Sequence, residues 1–268
     1  MNVKIYNKAL YKFLVNKISK LNNKNYKLKI ILVEPEGPIN VGSIARLCAN
    51  FAVDQLRIVS PKCDIFSLET IKMSLKGFSY VEELNIFNSL NEAISDCDLV
   101  LATCGRIDNS RESSNYSLEE ISKWIKVSRN IKNLAVVFGR ETIGLTNKEL
   151  LLAHRVFTID TNKNYPSLNL SHAVSIVLYE LNKDLEDSCE EKNKNFFNIA
   201  PIKNIEETFC EIEDLLLSIG YIFSHTSNAK ITKFKKFILR AETSDHELNV
   251  LRGIIHQMNW ALRNQKKN

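Results

Sequence analysis

The chain has 268 residues, of which 44% are hydrophobic and 25% are charged, as in an ordinary globular protein. This length accommodates one large domain or two smaller ones. The sequence contains no run of 18 or more apolar residues, so we expect no membrane-spanning helix.

The net charge of +5 is concentrated at the N-terminus. The first 29 residues contain eight lysines and no acid, and without those eight the chain has 28 basic and 31 acidic residues. Apolar residues at helical spacing predict a short helix within residues 1–27. This cationic arm is compatible with a solvated tail, a nucleic-acid contact or an organelle-targeting segment, and the sequence leaves all three open.

The six cysteines are scattered and form no CxxC pair. This spacing predicts free thiols in a reducing compartment rather than disulfides or a zinc site. We therefore expect a cytoplasmic protein without a metal centre.

Short apolar strands alternate with helices between residues 28 and 182. We predict strands at 29–33, 55–59, 81–87, 98–103, 133–138 and 156–160, and helices at 42–51, 67–76, 90–95, 118–126, 147–153 and 168–185. Continuously apolar strands that alternate with helices predict an α/β fold, a mostly parallel sheet flanked by helices.

The remainder of the chain predicts a small helical C-terminal domain. Residues 183–202 are charged and lack periodicity, which indicates a linker. Helices are predicted at 203–219, 228–241 and 244–263, and the last begins with a capping box of Ser244 and Glu247. The predicted organisation is thus an arm (1–27), an α/β domain (28–182), a linker (183–202) and a helical extension (203–268).

Loops rich in glycine and polar residues follow three predicted strands, at 34–46, 103–106 and 138–145. A fourth polar loop, at 162–169, leads into the last helix of the α/β domain. Parallel sheets bind ligands at the carboxyl ends of their strands, so we expect the site there. The sequence has no GxGxxG, P-loop or GxSxG motif. His172, on the last helix, is predicted to be a core or rim residue rather than a base.

Three of these loops resemble the motifs of a known family. Residues 40–46 (NVGSIAR) are similar to the first motif of the SpoU/TrmH-type RNA 2′-O-methyltransferases. Residues 138–145 (FGRETIGL) resemble the second motif, and residues 166–171 (PSLNLS) the third. Residues 201–265 are similar to the C-terminal extension of the bacterial TrmJ subfamily, which methylates the ribose of nucleotide 32 in tRNA.

The resemblance implies a SPOUT fold with a C-terminal trefoil knot, S-adenosyl-L-methionine (SAM) as cofactor, tRNA as substrate and a homodimer that completes each active site. It also implies a set of site residues. The cofactor-binding residues would be Thr103, Cys104, Gly105, Gly139, Ile159, Ser167, Leu168 and Asn169. The catalytic set would be Arg46, Asn40, Glu141, Ser167 and Asn169.

Two roles for Arg46 stay open. The usual assignment in the family makes this arginine the general base for the ribose hydroxyl. A guanidinium stays protonated in proteins, so a clamp on the adjacent phosphate is the role that chemistry favours. Glu141 likewise could act beside the ribose or only orient nearby loop amides.

The C-terminal extension contains a strongly basic helix, and no acid occurs between Leu215 and Arg240. We expect Lys230, Lys233, Lys235 and Lys236 to contact tRNA phosphates. Two other functions stay open: a 2′-O-methyltransferase of another RNA such as rRNA, and an RNA-binding protein without catalysis.

Overall fold

The computed structural model describes residues 26–105, 116–127, 131–162, 164–183, 199–223 and 227–265. Residues 1–25 of the cationic arm, with the helix predicted there, and most of the predicted linker lie outside these residues. No helix among the described residues is long and apolar enough to cross a membrane.

A parallel sheet forms the centre of the structure. Its seven strands have the spatial order β3-β2-β1-β6-β4-β7-β5, and neighbouring strands are parallel throughout. The strands are β1 (Lys27–Val33), β2 (Gln55–Val59), β3 (Asn85–Phe87), β4 (Leu99–Thr103), β5 (Tyr116–Ser117), β6 (Asn133–Phe138) and β7 (Arg155–Thr158). The predicted parallel sheet is thereby confirmed.

Helices cover both faces of the sheet. They are α1 (Pro38–Asn50), α2 (Leu68–Ser74), α3 (Phe78–Glu82), α4 (Leu90–Ile94), α5 (Leu118–Val127), α6 (Asn147–Leu150), α7 (Leu170–Asn182), α8 (Ile202–Ser218), α9 (Ser227–Arg240) and α10 (Asp245–Gln265). A short 3-10 turn, Leu75–Gly77, joins α2 to α3.

The apolar strands supply two hydrophobic clusters because successive side chains point to opposite faces. In β1, Leu28, Ile30 and Leu32 pack in a cluster that includes buried residues of α1 and α7. The alternate residues Ile31 and Val33 belong to a second cluster, which also contains buried residues of α8, α9 and α10. The C-terminal helices therefore share a hydrophobic core with the sheet.

Several predicted elements have different bounds in the structure, and two of these differences have a clear physical reason. Helix α1 begins at Pro38, four residues earlier than predicted, because proline suits the first position of a helix. The predicted strand at 81–87 is wrong in its first part, where α3 forms instead. Gly77 permits this arrangement, since a Cβ there would lie 2.4 Å from the Ala45 carbonyl oxygen. The two-residue strand β5 was too short to predict.

Two buried cations in the sheet were also not predicted. Lys29 and Arg57 lie on neighbouring strands, and both pair with Asp96, at 2.6 and 2.7 Å. Hydrogen bonds from Arg57 hold the pKa of Asp96 below its usual range, although burial opposes this shift. One carboxylate thus holds two cations in an otherwise apolar layer. The trefoil knot and the domain boundaries stay predictions.

Candidate active site

The candidate site lies at the carboxyl edge of the sheet. Strands β6, β4 and β7 are adjacent, so the residues that follow them meet at one edge. The Thr103 hydroxyl donates to the Val137 carbonyl (3.2 Å), and the Cys104 amide donates to the Phe157 carbonyl (2.9 Å). These bonds hold the end of β4 between its two neighbours.

The loop after β6 folds back on itself in a tight turn. The Gly144 amide donates to the Arg140 carbonyl at 2.9 Å, and Gly144 has a φ of 69°. A Cβ on Gly139 would lie 2.2 Å from the Gly144 carbonyl carbon. The turn therefore requires glycine at position 139, and it fixes the direction of the next side chains.

Glu141 projects from this turn and joins it to the loop after β1. Its carboxylate accepts hydrogen bonds from the amides of Glu36 (2.9 Å) and Gly37 (3.1 Å). It also accepts one from Asn40 Nδ2 at 3.0 Å. The carboxylate thus orients the first turn of α1, which is the positioning role considered from the sequence.

Asn40 continues this connection to the loop before α7. Its Oδ1 accepts a hydrogen bond from Asn169 Nδ2 at 3.0 Å. Asn169 is the N-cap of α7, and its Oδ1 accepts from the Ser171 amide (2.9 Å) and hydroxyl (2.7 Å). One chain of hydrogen bonds, from Glu141 through Asn40 and Asn169 to Ser171, therefore joins the three sequence motifs.

Arg46 stands apart from this chain. Because α1 begins at Pro38, Arg46 lies in the third turn of the helix, and it is exposed. Among the described residues, none forms a hydrogen bond or an ion pair with its guanidinium. The structure therefore joins Asn40, Glu141 and Asn169 by hydrogen bonds, whereas Arg46 has no such bond to the described residues.

The predicted cofactor residues line the same edge. Cys104, Ile159 and Leu168 are half-buried, and Ser167 is exposed in the loop before α7. A hydrogen bond of 3.1 Å from the Thr161 hydroxyl to the Pro166 carbonyl holds that loop. Among the described residues, a Cβ on Gly105 would meet nothing within 4 Å at the end of β4. Half-buried apolar side chains beside open main chain suit a flat, largely neutral group such as an adenosine.

Sequence reasoning did not identify Arg140 as a functional residue. Its guanidinium donates to both oxygens of Glu149 (3.0 Å each) and to Glu34 Oε1 (2.9 Å). The hydrogen bonds that Arg140 donates, to Glu149 first and then to Glu34, raise the pKa of Arg140, and the bond to Glu34 lowers the pKa of that carboxyl. Arg140 therefore clamps the turn that carries Glu141 against the loop after β1.

Of the three residues Arg140, Glu149 and Glu34, only Glu149 lies in a recognisable local sequence pattern. Thr146 and Glu149 form a capping box at the start of α6, and the spacing Thr-x-x-Glu is its recognised pattern. Glu34 is 106 residues from Arg140, and nothing near either residue indicates the pairing. His172 is exposed at the start of α7, so it is not a core residue, and its assignment as a rim residue rather than a base stays a prediction.

Comparison with known proteins places this geometry in a family. Residues 27–179 match the model of the SpoU rRNA Methylase family, and residues 203–267 match the C-terminal domain of the tRNA methyltransferase TrmJ. The chain is a TrmJ-type member of the SpoU methylase family. The resemblance drawn from the three motifs and the C-terminal extension is confirmed.

Individual SpoU relatives agree with this assignment. The tRNA (cytidine-2′-O-)-methyltransferase TrmJ of Sulfolobus acidocaldarius is 39% identical over 194 residues, which are 71% of this chain and 78% of the relative. The tRNA (cytidine/uridine-2′-O-)-methyltransferase TrmJ of Escherichia coli strain K12 is 30% identical over 85% of this chain and 93% of its own length. The crystal structure of TrmJ from Z. mobilis ZM4 has a TM-score of 0.74 and 25% identity, and it covers 86% of this chain and 98% of its own.

Proposed function

We propose that this SpoU family member transfers a methyl group from SAM to a ribose 2′-hydroxyl of tRNA, at nucleotide 32 of the anticodon loop, where it accepts cytidine or uridine. One observation carries this proposal: a SpoU catalytic domain and a TrmJ C-terminal domain occur in the same chain. The relative from Escherichia coli strain K12, which aligns with 85% of this chain, is named a tRNA (cytidine/uridine-2′-O-)-methyltransferase.

The carboxyl edge of the sheet would hold the cofactor. Thr103, Cys104 and Gly105 would form one wall, and Gly139 and Ile159 would form two others. The loop of Ser167, Leu168 and Asn169 would close over them. When bound, SAM supplies a methyl group already activated on a sulfonium. The protein therefore has to align the acceptor oxygen and assist the loss of its proton.

Arg46 would act beside the target ribose. Its guanidinium is exposed and unpaired among the described residues, so its charge is available to a phosphate. A group that stays protonated makes a better clamp than a base. We infer that Arg46 binds the phosphate next to the target nucleotide. Asn40, Glu141 and Asn169 position α1, on which Arg46 lies, and Ser167 would lie on the cofactor side.

A homodimer would bring Arg46 to the cofactor of a second copy. Exposed apolar side chains occur on α1, in the loops of the site and on α7: Ile39, Ile143, Tyr165, Ile176 and Tyr179. Ile176 and Tyr179 are three residues apart and so share one face of α7. A surface of this kind supports pairing with a second copy, and the family resemblance implies the same assembly.

A methyl-transfer assay tests the proposal. The wild-type protein should transfer labelled methyl from SAM to unmodified tRNA. The Arg46→Ala variant should lose at least about a hundredfold in kcat/KM, because without the phosphate clamp the acceptor hydroxyl is no longer aligned with the methyl group, while SAM binding by calorimetry stays within about twofold. Near-normal turnover by Arg46→Ala would remove Arg46 from the mechanism. Transfer to rRNA but not tRNA, or to neither, would contradict the proposed substrate.

A further inference from the structure

The basic helix α9 has two sides with different environments. Ile238 and Leu239 are buried in the second hydrophobic cluster. Lys235 lies on the inner side, where its ammonium pairs with Glu206. The ammonium of Lys235 thus already has a partner within the chain, although the sequence predicts that it contacts tRNA phosphates. Lys230 is also engaged, since its Nζ donates to the Tyr221 carbonyl at 3.0 Å and lies 4.5 Å from the centroid of that ring.

The outer side of α9 carries a different set of residues. Lys233, Lys236, Phe237 and Arg240 are all exposed, and we call these four residues the α9 face. Their spacing of three to four residues places them next to one another on the helix. Within the part of the chain that the structure describes, no carboxylate pairs with these three cations. The α9 face thus has a concentrated, uncompensated positive charge.

Phe237 is exposed at the centre of this charge, with 55% of its surface accessible. Its ring lies parallel to that of Phe234, with centroids 6.5 Å apart and an interplanar angle of 9°. Phe234 in turn packs edge-on against the buried Phe209, at 5.6 Å and 76°. The ring of Phe234 thus lies between the core residue Phe209 and Phe237, and part of the Phe237 ring stays in solvent.

We propose that the α9 face binds an unpaired nucleotide of the RNA, with its base stacked on Phe237 and its flanking phosphates at Lys233, Lys236 and Arg240. An exposed aromatic ring among cations is the combination that proteins use for single-stranded nucleic acid. Phosphates of a duplex would require the cations alone, because paired bases offer no free face to a ring. This inference rests on the proposed function and names the part of the RNA that the extension recognises.

Binding of two RNAs to the full-length protein tests the inference. The probes are a single-stranded oligoribonucleotide and a fully paired RNA duplex of equal length. Phe237→Leu should raise the Kd for the single strand by about fivefold to a hundredfold, the range for loss of one stacked base. It should leave duplex binding within about twofold. Phe237→Tyr keeps the ring and should restore single-strand binding.

The cations are tested by the salt dependence of binding. Lys233→Gln and Lys236→Gln should each reduce the slope of log Kobs against log salt by about 0.7 for the single strand. Phe237→Leu should leave that slope unchanged. Lys203→Gln, on the exposed side of α8, is the matched control and should change neither affinity nor slope. Thermal melting of each variant reports whether it is folded.

Different results would separate this inference from the proposed function. If Phe237→Leu weakens both RNAs equally or weakens neither, the α9 face does not bind an unpaired base, and a protein partner would then be the better occupant. If the wild-type protein shows the ring-dependent preference but no methyl transfer, the inference stands and the proposed function fails. If the wild-type protein and Phe237→Leu both methylate tRNA with the same KM, the proposed function stands and the inference about the α9 face fails.

Discussion

Individual side chains connect three distant parts of the sequence at the candidate site. Glu141, Asn40 and Asn169 are joined by hydrogen bonds of 3.0 Å although more than 100 residues separate Glu141 from Asn40. Each of these side chains makes a hydrogen bond to a side chain of another motif. Replacement of any one would leave its partner with an unmade bond. The loops therefore hold their shape before any ligand binds.

His154, which lies outside the candidate site, affects the stability of the fold. His154 is only 6% exposed, and its Nδ1 accepts a hydrogen bond from the Val100 amide at 3.1 Å. Its Nε2 has no hydrogen-bond partner among the described residues. Burial, with a smaller contribution from the Arg155 charge, lowers the pKa of His154 to about 4. Folding therefore favours the neutral imidazole.

The pH dependence of unfolding tests this assignment. An unfolded histidine has a pKa of about 6.5, so the unfolded state gains a proton before the folded state does. The stabilisation from neutral His154 is complete above pH of about 6.5 and is lost as the pH falls toward about 4, by up to about 1.4 kcal/mol per pH unit. His154→Asn keeps an acceptor for Val100 but does not titrate. Its free energy of unfolding should fall less steeply in this window, and parallel curves for both proteins would refute the assignment.

At the scale of elements, the packing of α1 against α2 positions the first motif. A Cβ on Gly42 would lie 2.5 Å from the Thr70 carbonyl oxygen and 2.8 Å from Met73 Cβ. The Thr70 hydroxyl donates to the Pro38 carbonyl at 3.1 Å, which holds the two helices together at the start of α1. The close approach of the helices therefore depends on glycine at this position.

A pair of glycine substitutions tests this packing. Gly42→Ala should destabilise the protein by about 1–3 kcal/mol, because the backbone of α2 must move. Gly253→Ala is the matched control in an open part of α10, where a Cβ meets nothing within 4 Å. It should stabilise the protein by about 0.5–1 kcal/mol. Urea unfolding measures both, and equal effects of the two substitutions would show that Gly42 is not in close contact.

Elements with local signals could be predicted from the sequence, whereas long-range pairs could not. Strand β6 was placed at its observed bounds because its apolar run ends in a glycine turn. The capping box of Ser244 and Glu247 was also found, and its hydrogen bonds of 2.8 and 3.3 Å are present. Arg140 and the buried Lys29, which pair with Glu34 and with the more exposed Asp96, escaped prediction. Their partners lie far away in sequence, and a cation inside a strand contradicts the usual apolar pattern.

At the scale of the whole molecule, the C-terminal helices are tied to the sheet by polar contacts as well as by the shared core. Arg155, the first residue of β7, pairs with Glu242 at 2.9 Å. Its guanidinium also lies 3.9 Å from the centroid of the Trp124 ring. The extension thus packs on one face of the sheet, and this ion pair joins it to the beginning of β7, whereas the candidate site lies beyond the end of that strand.

The proposed dimer predicts the effect of a charge on α7. Tyr179 is 63% exposed, and Tyr179→Glu would place a carboxylate in the proposed interface. We expect this variant to sediment as a monomer and to lose methyl transfer, since Arg46 would no longer reach a second copy. Val250→Glu, on the exposed side of α10, is the control and should stay dimeric. A wild-type protein that is monomeric at concentrations where it is active would contradict the prediction.

The most direct test of the central claim is methyl transfer to a tRNA that lacks a single oxygen atom. A tRNA with 2′-deoxyribose at nucleotide 32 keeps every base but has no acceptor hydroxyl at that position. The wild-type protein should methylate the unmodified tRNA and transfer no label to the deoxy form, while binding both with similar affinity. Undiminished transfer to the deoxy tRNA would contradict the claim, since the methyl group would then go to a base or to another nucleotide.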